Sequence, residues 1–489
     1  MSTQATPSVF NTLQPASVWA HFATLCAIPR PSKGEAALVA HLKNWAEARG
    51  LETLVDAVGN LMVRKPASAG CASRPGVVLQ SHLDMVCQNN ANTPHDFLRD
   101  PITPVMRDGW LIAEGTTLGA DNGIGVALIL AVLEDATLVH GPIEALFTVD
   151  EEAGMGGAQG LAAGVLQSQL MLNLDTEEWG QFYLGCAGGV DVNVQRAGQA
   201  EALADGQVAV RVEVSGLRGG HSGVNIHEGR GNAIKLLVRS LRQLERRWHL
   251  RLSTLQGGSA RNALPREAFA TLTLPAEALV AVGDELARLQ AQFRQELAGV
   301  DEGVSVSCQP WVLDQVMSPA DQAFWLATLH AAPHGAHRMS VQVPGVVETS
   351  NNLGVVDLNP QGGACNFMVR SLVDSAGLER ANEIISLLAL SGVTATLSDP
   401  YPGWRPNPAS PLLALCQSVY RASFGAESST QVIHAGLECG IIGGKYPELD
   451  MVSFGPTIRG AHAPGESVEV ASVAQCWQLL TAILAAVGA

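Results

Sequence analysis

The sequence predicts an α/β protein: a mostly parallel, helix-covered sheet interrupted by an inserted α+β domain. Three observations predict it. The 489 residues exceed what one ordinary core accommodates. The first and last parts carry continuous apolar runs between helical patterns, as strands buried on both faces do. The middle carries runs that alternate apolar and polar residues, as half-exposed strands do.

In chain order, "AALVAHLKNWAEARG" is helix-like and stops at Gly50. "PGVVLQSHLD" is a short apolar strand, "GIGVALILAVLED" a buried helix, and "IEALFTVDEE" and "QLMLNLDTEE" are two further strands. From about Gly188 the texture changes. "GQVAVRVEVSGL" and "REAFATLTLP" alternate, "GNAIKLLVRSLRQLERRW" is an amphipathic helix, "LVAVGDELARLQAQFRQEL" a second helix and "GVSVSCQPW" a further strand. "CNFMVRSLVDS" and "LERANEIISLLALSG" repeat that texture between about Ser318 and Pro400, which suggests duplication. The Pro-rich joint "YPGWRPNP" then returns the chain to "LLALCQSVYRASFG", "LDMVSFGP" and "VAQCWQLLTAILAAV". The expected division is residues 1–187 and 403–489 as two segments of one catalytic domain, with 188–402 inserted.

Composition excludes several classes. With 47% hydrophobic and 16% charged residues the chain is not disordered. A net charge of −16 argues against nucleic acid or an anionic membrane as partner. Nine cysteines without a Cys-x-x-Cys pair suit small core residues in a reducing compartment. The N-terminal residues do not read as a secretory signal and the apolar runs are too short to span a bilayer, so the expected location is the cytoplasm.

"IEALFTVDEEAG" sets the chemical problem: an apolar strand ends in Asp150, Glu151 and Glu152, which repel one another unless a positive charge compensates. The anomaly recurs. "VVLQSHLD" delivers His82 and Asp84, "LMLNLD" delivers Asp175, "LGADNGIG" places Asp121 before a helix, and "TIRGAHAPGE" carries His462. In an open α/β sheet these segments converge outside the carboxyl ends of the strands. Taken singly, Asp121 reads as an N-cap and each histidine as hydrogen-bonded structure. Together, so many buried carboxylates require a cation.

Two divalent ions suit the set His82, Asp121, Glu152, Asp175 and His462, because a hydroxide between them balances the charge left by three carboxylates. Asp121 is then the bridge, with His82 and Asp175 on one ion and Glu152 and His462 on the other. Mixed imidazole and carboxylate donors favour zinc, with manganese or cobalt as alternatives. Asp84, two residues after His82 on the same strand face, is assigned to fix its tautomer. Glu151 is left as general base for the attacking water and the leaving amine.

The motifs "SHLDMV", "GADNGIG", "DEEAGMGGA", "LNLDTEE", "GGHSG" with "IHEGRGNA", "RNALPREA", "HAGLECG" and "HAPGE" span nearly the whole chain in order. With them the sequence resembles the M20 family of metallopeptidases, and within it the aminoacyl-histidine dipeptidase branch, also called cytosolic non-specific dipeptidase. The resemblance implies a two-metal catalytic domain with an inserted lid and dimerisation domain, a homodimer, and hydrolysis of unblocked dipeptides, Xaa-His among them. It implies a cis peptide between Asp121 and Asn122. It assigns His221 to the oxyanion of the tetrahedral intermediate, Asn262 to the substrate backbone, Arg370 to the substrate's terminal carboxylate, and His434 and Glu438 to the substrate pocket. A lid with open and closed positions is expected. An N-acyl amino acid deacylase or tripeptidase on the same scaffold is the alternative activity, and a non-catalytic metal-dependent binding protein the alternative class.

Overall fold

The computed structural model describes residues 8–489 apart from Ala91 and Ser391, so the first seven residues of the expected catalytic segment lie outside the described residues. The chain divides into two compact units. Of the described residues, the first comprises 8–185, Pro406–Val432 and Glu438–Ala489; the second comprises Cys186–Arg405 and Ile433–Leu437. The short return at Ile433–Leu437 departs from the expected three-segment division. It arises because Ala187 donates its N–H to the carbonyls of Ile433 and Ala435, which draws that segment to the start of the inserted unit.

Among the described residues the first unit is built on an eight-stranded sheet. Its centre is parallel: Val77–His82 lies between Ile143–Thr148 and Leu170–Asn173, and Asp450–Ser453 pairs in parallel with Leu170–Asn173. The margins are antiparallel, through Glu52–Val55, Leu61–Lys65 and Gln181–Cys186. Thus the mostly parallel reading holds for the four central strands, where every residue of Val77–His82 and Ile143–Thr148 is buried. Those are the runs with no polar alternation, as coverage of both faces requires. The helix Ala120–Glu134 is buried along residues 122–133, which explains why its sequence shows no polar stripe. Because the central strands are parallel, the residues that follow His82, Thr148, Asn173 and Ser453 all leave the sheet at one edge.

Among the described residues the second unit carries a nine-stranded sheet whose strands pair antiparallel. Gln207–Ser215 buries Val210, Val212 and Val214 and leaves the residues between them partly exposed, so the sequence alternation is its pleat. The helix Ala233–Glu245 buries Ile234, Leu237, Val238, Leu241 and Leu244, one stripe of a 3.6-residue period, and Asn232 caps it by accepting from the Lys235 N–H. Pairing of Arg251–Gly257 with Val347–Asn359 joins these strands into one sheet over one core. No helix among the described residues is long and apolar enough to cross a membrane.

Candidate active site

At the carboxyl edge of the first unit's sheet, the side chains meet around Asp121. Its Oδ1 lies 3.1 Å from His82 Nε2, and its Oδ2 lies 3.1 Å from His462 Nε2. His82 Nε2 is also 3.4 Å from Asp175 Oδ1, and His462 Nε2 is 3.1 Å from Glu152 Oε2. The five side chains therefore sort into two groups that share Asp121. Asp121 does not serve as an N-cap, because its two carboxylate oxygens face the histidines and not the N–H groups of the first turn; the peptide to Asn122 is cis. The Asn122 side-chain amide donates to Asp175, which orients that carboxylate from behind.

The donor set fits divalent cations. Ligand atoms of His82, Asp121 and Glu152 lie within 4.8 Å of one another, and the buried Glu152 Oε1 has no hydrogen-bond partner. Imidazole nitrogen and carboxylate oxygen are the donors of zinc, manganese and cobalt sites. Burial pulls the His82 pKa down, but Asp175, Asp121 and Asp84 outweigh it and raise it well above the usual value. Contacts with Asp121 and Glu152 push His462 up to about 11. Burial works against ionising Asp121, yet His462 and His82 hold its carboxyl well below the usual range.

Since imidazole binds a metal only when neutral, loading is expected to release about two protons per chain near pH 7, one from each histidine. Both folded-state values lie above the usual 6.5, so metal affinity must rise with pH through this range. Titration of the ion-free protein in buffers of different ionisation enthalpy measures the release, and uptake without it would contradict the protonation described.

Asp84 organises the neighbouring turn. Its Oδ1 accepts from the Glu151 N–H at 3.0 Å and lies 3.3 Å from His82 Nδ1; its Oδ2 accepts from the Glu152 N–H at 3.1 Å and the Ser32 hydroxyl at 2.7 Å. Burial alone would raise the Asp84 pKa, but His82, Ser32 and the Glu151 N–H bring it down to about 2. Glu151 is displaced the other way. Burial, then the carboxylates of Glu152, Asp175 and Glu438 against the opposing charge of His82, raise its pKa well above the carboxylate range. A carboxylate of raised basicity beside a cation site suits proton transfer.

Two contributors escaped the sequence reading. Arg30, 2% exposed, donates to the carbonyls of Leu83, Asp84 and Gly119 and places a buried positive charge beneath the acidic cluster. Glu466 accepts from the backbone N–H groups of Leu118, Gly119, Ala120 and Asp121. The motif "HAPGE" contained Glu466, four residues after His462, and could have flagged it; a lone arginine in "IPRPS" carries no comparable signal.

The remaining candidates are distributed between the units. In the second unit, Arg370 is buried rather than a surface residue. Its Nη1 donates to the Tyr401 hydroxyl at 2.7 Å, its Nε to Ser222 Oγ at 3.4 Å, and its Nη2 lies 3.4 Å from His221 Nε2. Asn262 is exposed on the adjoining loop, where its carbonyl accepts from the Ser222 N–H at 2.8 Å. His434 is buried with Nε2 2.8 Å from Ser350 Oγ, and burial followed by the Arg370 charge lowers its pKa to about 3. The His434 carbonyl presses on Gly223, where an added Cβ would lie 1.9 Å away, so the last glycine of "GGHSG" is a packing requirement.

Glu438 belongs to the first unit and is 0% exposed, which corrects its expected place in a substrate pocket. Its Oε2 accepts from Gln80 Nε2 and Thr148 Oγ1, both at 2.6 Å, and burial raises its pKa to about 7. Gln80 in turn accepts from the Asn173 side-chain amide, so Glu438 ties together the central strands under the cluster. A side chain enclosed in this way offers a substrate no surface.

The model of peptidase family M20/M25/M40 matches residues 78–486. The cytosol non-specific dipeptidase of Escherichia coli strain K12 is 43% identical over 478 residues, covering 98% of this chain and 99% of that protein. The crystal structure of aminoacylhistidine dipeptidase from Vibrio alginolyticus superposes with a TM-score of 0.86 at 43% identity, covering 98% of each chain. A tripeptidase from Staphylococcus aureus, 16% identical with a TM-score of 0.55 over 97% of this chain and 99% of that one, shares the fold. A family match running from the strand that bears His82 to the closing helix, and a relative of such identity along its whole length, make this chain a member of peptidase family M20/M25/M40.

Proposed function

We propose that the protein is a metal-dependent dipeptidase that hydrolyses unblocked dipeptides, Xaa-His substrates among them. The observation that carries the reading is the arrangement about Asp121, whose two oxygens face two separate pairs of donors beside Glu151. The dipeptide substrate is supported by the relatives that are 43% identical over 98% of the chain, one named a cytosol non-specific dipeptidase and one an aminoacylhistidine dipeptidase.

His82 and Asp175 with one Asp121 oxygen, and Glu152 and His462 with the other, would hold two divalent ions, zinc in the first instance. Such ions polarise a scissile carbonyl and lower the pKa of water. Asp84 keeps the His82 ring oriented and fixes the backbone that presents Glu151 and Glu152. Glu151 takes a proton from the attacking water and returns it to the leaving amine nitrogen. In the second unit, His221 is assigned to donate to the carbonyl oxygen as it gains charge, Arg370 to bind the terminal carboxylate, and Asn262 to contact the substrate backbone. A homodimer formed through the second unit, a cytoplasmic location like that named for the Escherichia coli relative, and a mobile lid complete the proposal.

Chelator-treated protein is expected to lose hydrolysis of Ala-His and carnosine and to regain it with zinc, manganese or cobalt. A panel of free dipeptides beside N-acetylated amino acids checks specificity. Turnover of the acetylated compounds alone would replace the dipeptidase reading with a deacylase. Silence towards every substrate, with two ions bound per chain, would favour a binding protein.

A further inference from the structure

We propose that Arg30 and Glu466 are positioning residues that clamp the Leu118–Asp121 turn from opposite sides and so set where Asp121 stands between the two donor pairs. Asp121 needs such support, because its non-helical backbone lies outside the regular hydrogen bonding of the helix it introduces. Glu466 supplies it on the N–H side. One carboxylate oxygen accepts from Leu118 and Gly119 at 2.7 and 2.9 Å, and the other from Ala120 and Asp121 at 2.7 and 3.2 Å. Arg30 supplies it on the carbonyl side, through Nη2 to Gly119 at 2.5 Å, while Nη1 reaches Leu83 and Asp84 at 2.9 and 3.0 Å.

The clamp links three ligand-bearing segments. Through Arg30 the turn is fastened to the strand end that carries His82 and Asp84. Through Glu466 it is fastened to the loop that carries His462. The fit at the grip point is close: Gly119 has φ +68°, and a Cβ there would lie 2.4 Å from Arg30 Nη2. Because Asp121 is shared, displacing the turn must weaken both donor groups together. Loss of one independent ligand would weaken only one.

The inference rests on reading Asp121 as a shared metal ligand, and the test separates the two ideas. Full-length protein is stripped of ions and titrated with cobalt(II), following visible absorption and bound equivalents, for the parent, Glu466→Ala, Glu466→Gln and Asp121→Ala. Glu466→Ala is expected to weaken both binding steps by about 10–100-fold. Glu466→Gln should recover part of this, since its amide oxygen still accepts from the turn.

If Asp121→Ala loses cobalt while folded Glu466→Ala stays within about twofold of the parent, the clamp is overturned and the ligand reading stands. If Asp121→Ala binds as the parent does, the ligand reading fails and takes the clamp with it. Should Glu466→Ala not fold, Glu466→Gln and Arg30→Lys decide, since a lysine ammonium lacks the planar fork that reaches three carbonyls. Weaker cobalt binding at an unchanged thermal midpoint of the ion-free protein supports positioning. Unchanged binding in both variants overturns it.

Discussion

Replacing Glu151 by glutamine is expected to lower kcat by about 10³-fold, within the range general acid–base catalysis contributes. The amide keeps the shape of the side chain but cannot take a proton from water. Metal content should not change, because Glu151 stands outside the two donor groups that meet at Asp121. Steady-state kinetics beside atomic absorption on the same sample checks both halves. A variant within about tenfold of the parent would mean that another group moves the proton.

The second large effect is expected at Asp84. Asp84→Ala removes the acceptor for two backbone N–H groups and one hydroxyl, and leaves His82 without its buried carboxylate neighbour. Breaking a buried charge pair of this kind costs about 3–5 kcal/mol. The turn that carries Glu151 and Glu152 loosens with it, so activity should fall by about 10–100-fold. Asp84→Asn should be little better. Both oxygens accept from backbone N–H groups, and an amide nitrogen in either place would face a donor.

The dependence on pH has a definite sign. The Asp84 pKa is held down to about 2 from its usual 3.8, so its contribution is present above 3.8 and lost as pH falls through 2. Acid denaturation of the parent and of Asp84→Asn should therefore differ most above pH 4. Parallel profiles with equal midpoints would contradict the assignment.

Much of the histidine and carboxylate cluster was legible because its members mark the ends of local patterns. His82, Glu152 and Asp175 follow apolar runs that can only be buried strands, and parallel pairing brings their ends to one edge. Charge balance pointed to two ions and a hydroxide, and did not by itself decide which donors pair about Asp121. Arg30 was not legible, since its partners are carbonyls 53, 54 and 89 residues away and no side-chain pattern announces them. Glu438 was misplaced for a related reason: "HAGLECG" reads as one motif, but His434 and Glu438 fall in different units. The antiparallel margins of the first sheet were also hidden, because strand direction depends on how the chain returns and not on the residues within a strand.

The strand order of the first unit also governs its history during synthesis. Asp450–Ser453 lies beside Leu170–Asn173, so that central edge stays open until some 277 further residues have been translated. At the usual 5–20 residues per second the wait is about 14–55 s. In that time the newborn chain presents an apolar strand with unpaired amides, the template on which chains stick to one another. The inserted residues emerge within the same interval, and most of their sheet needs nothing from the far end of the gene product. Shelter of the waiting edge, by the ribosome's surroundings or by a chaperone, thus becomes a requirement of the topology itself.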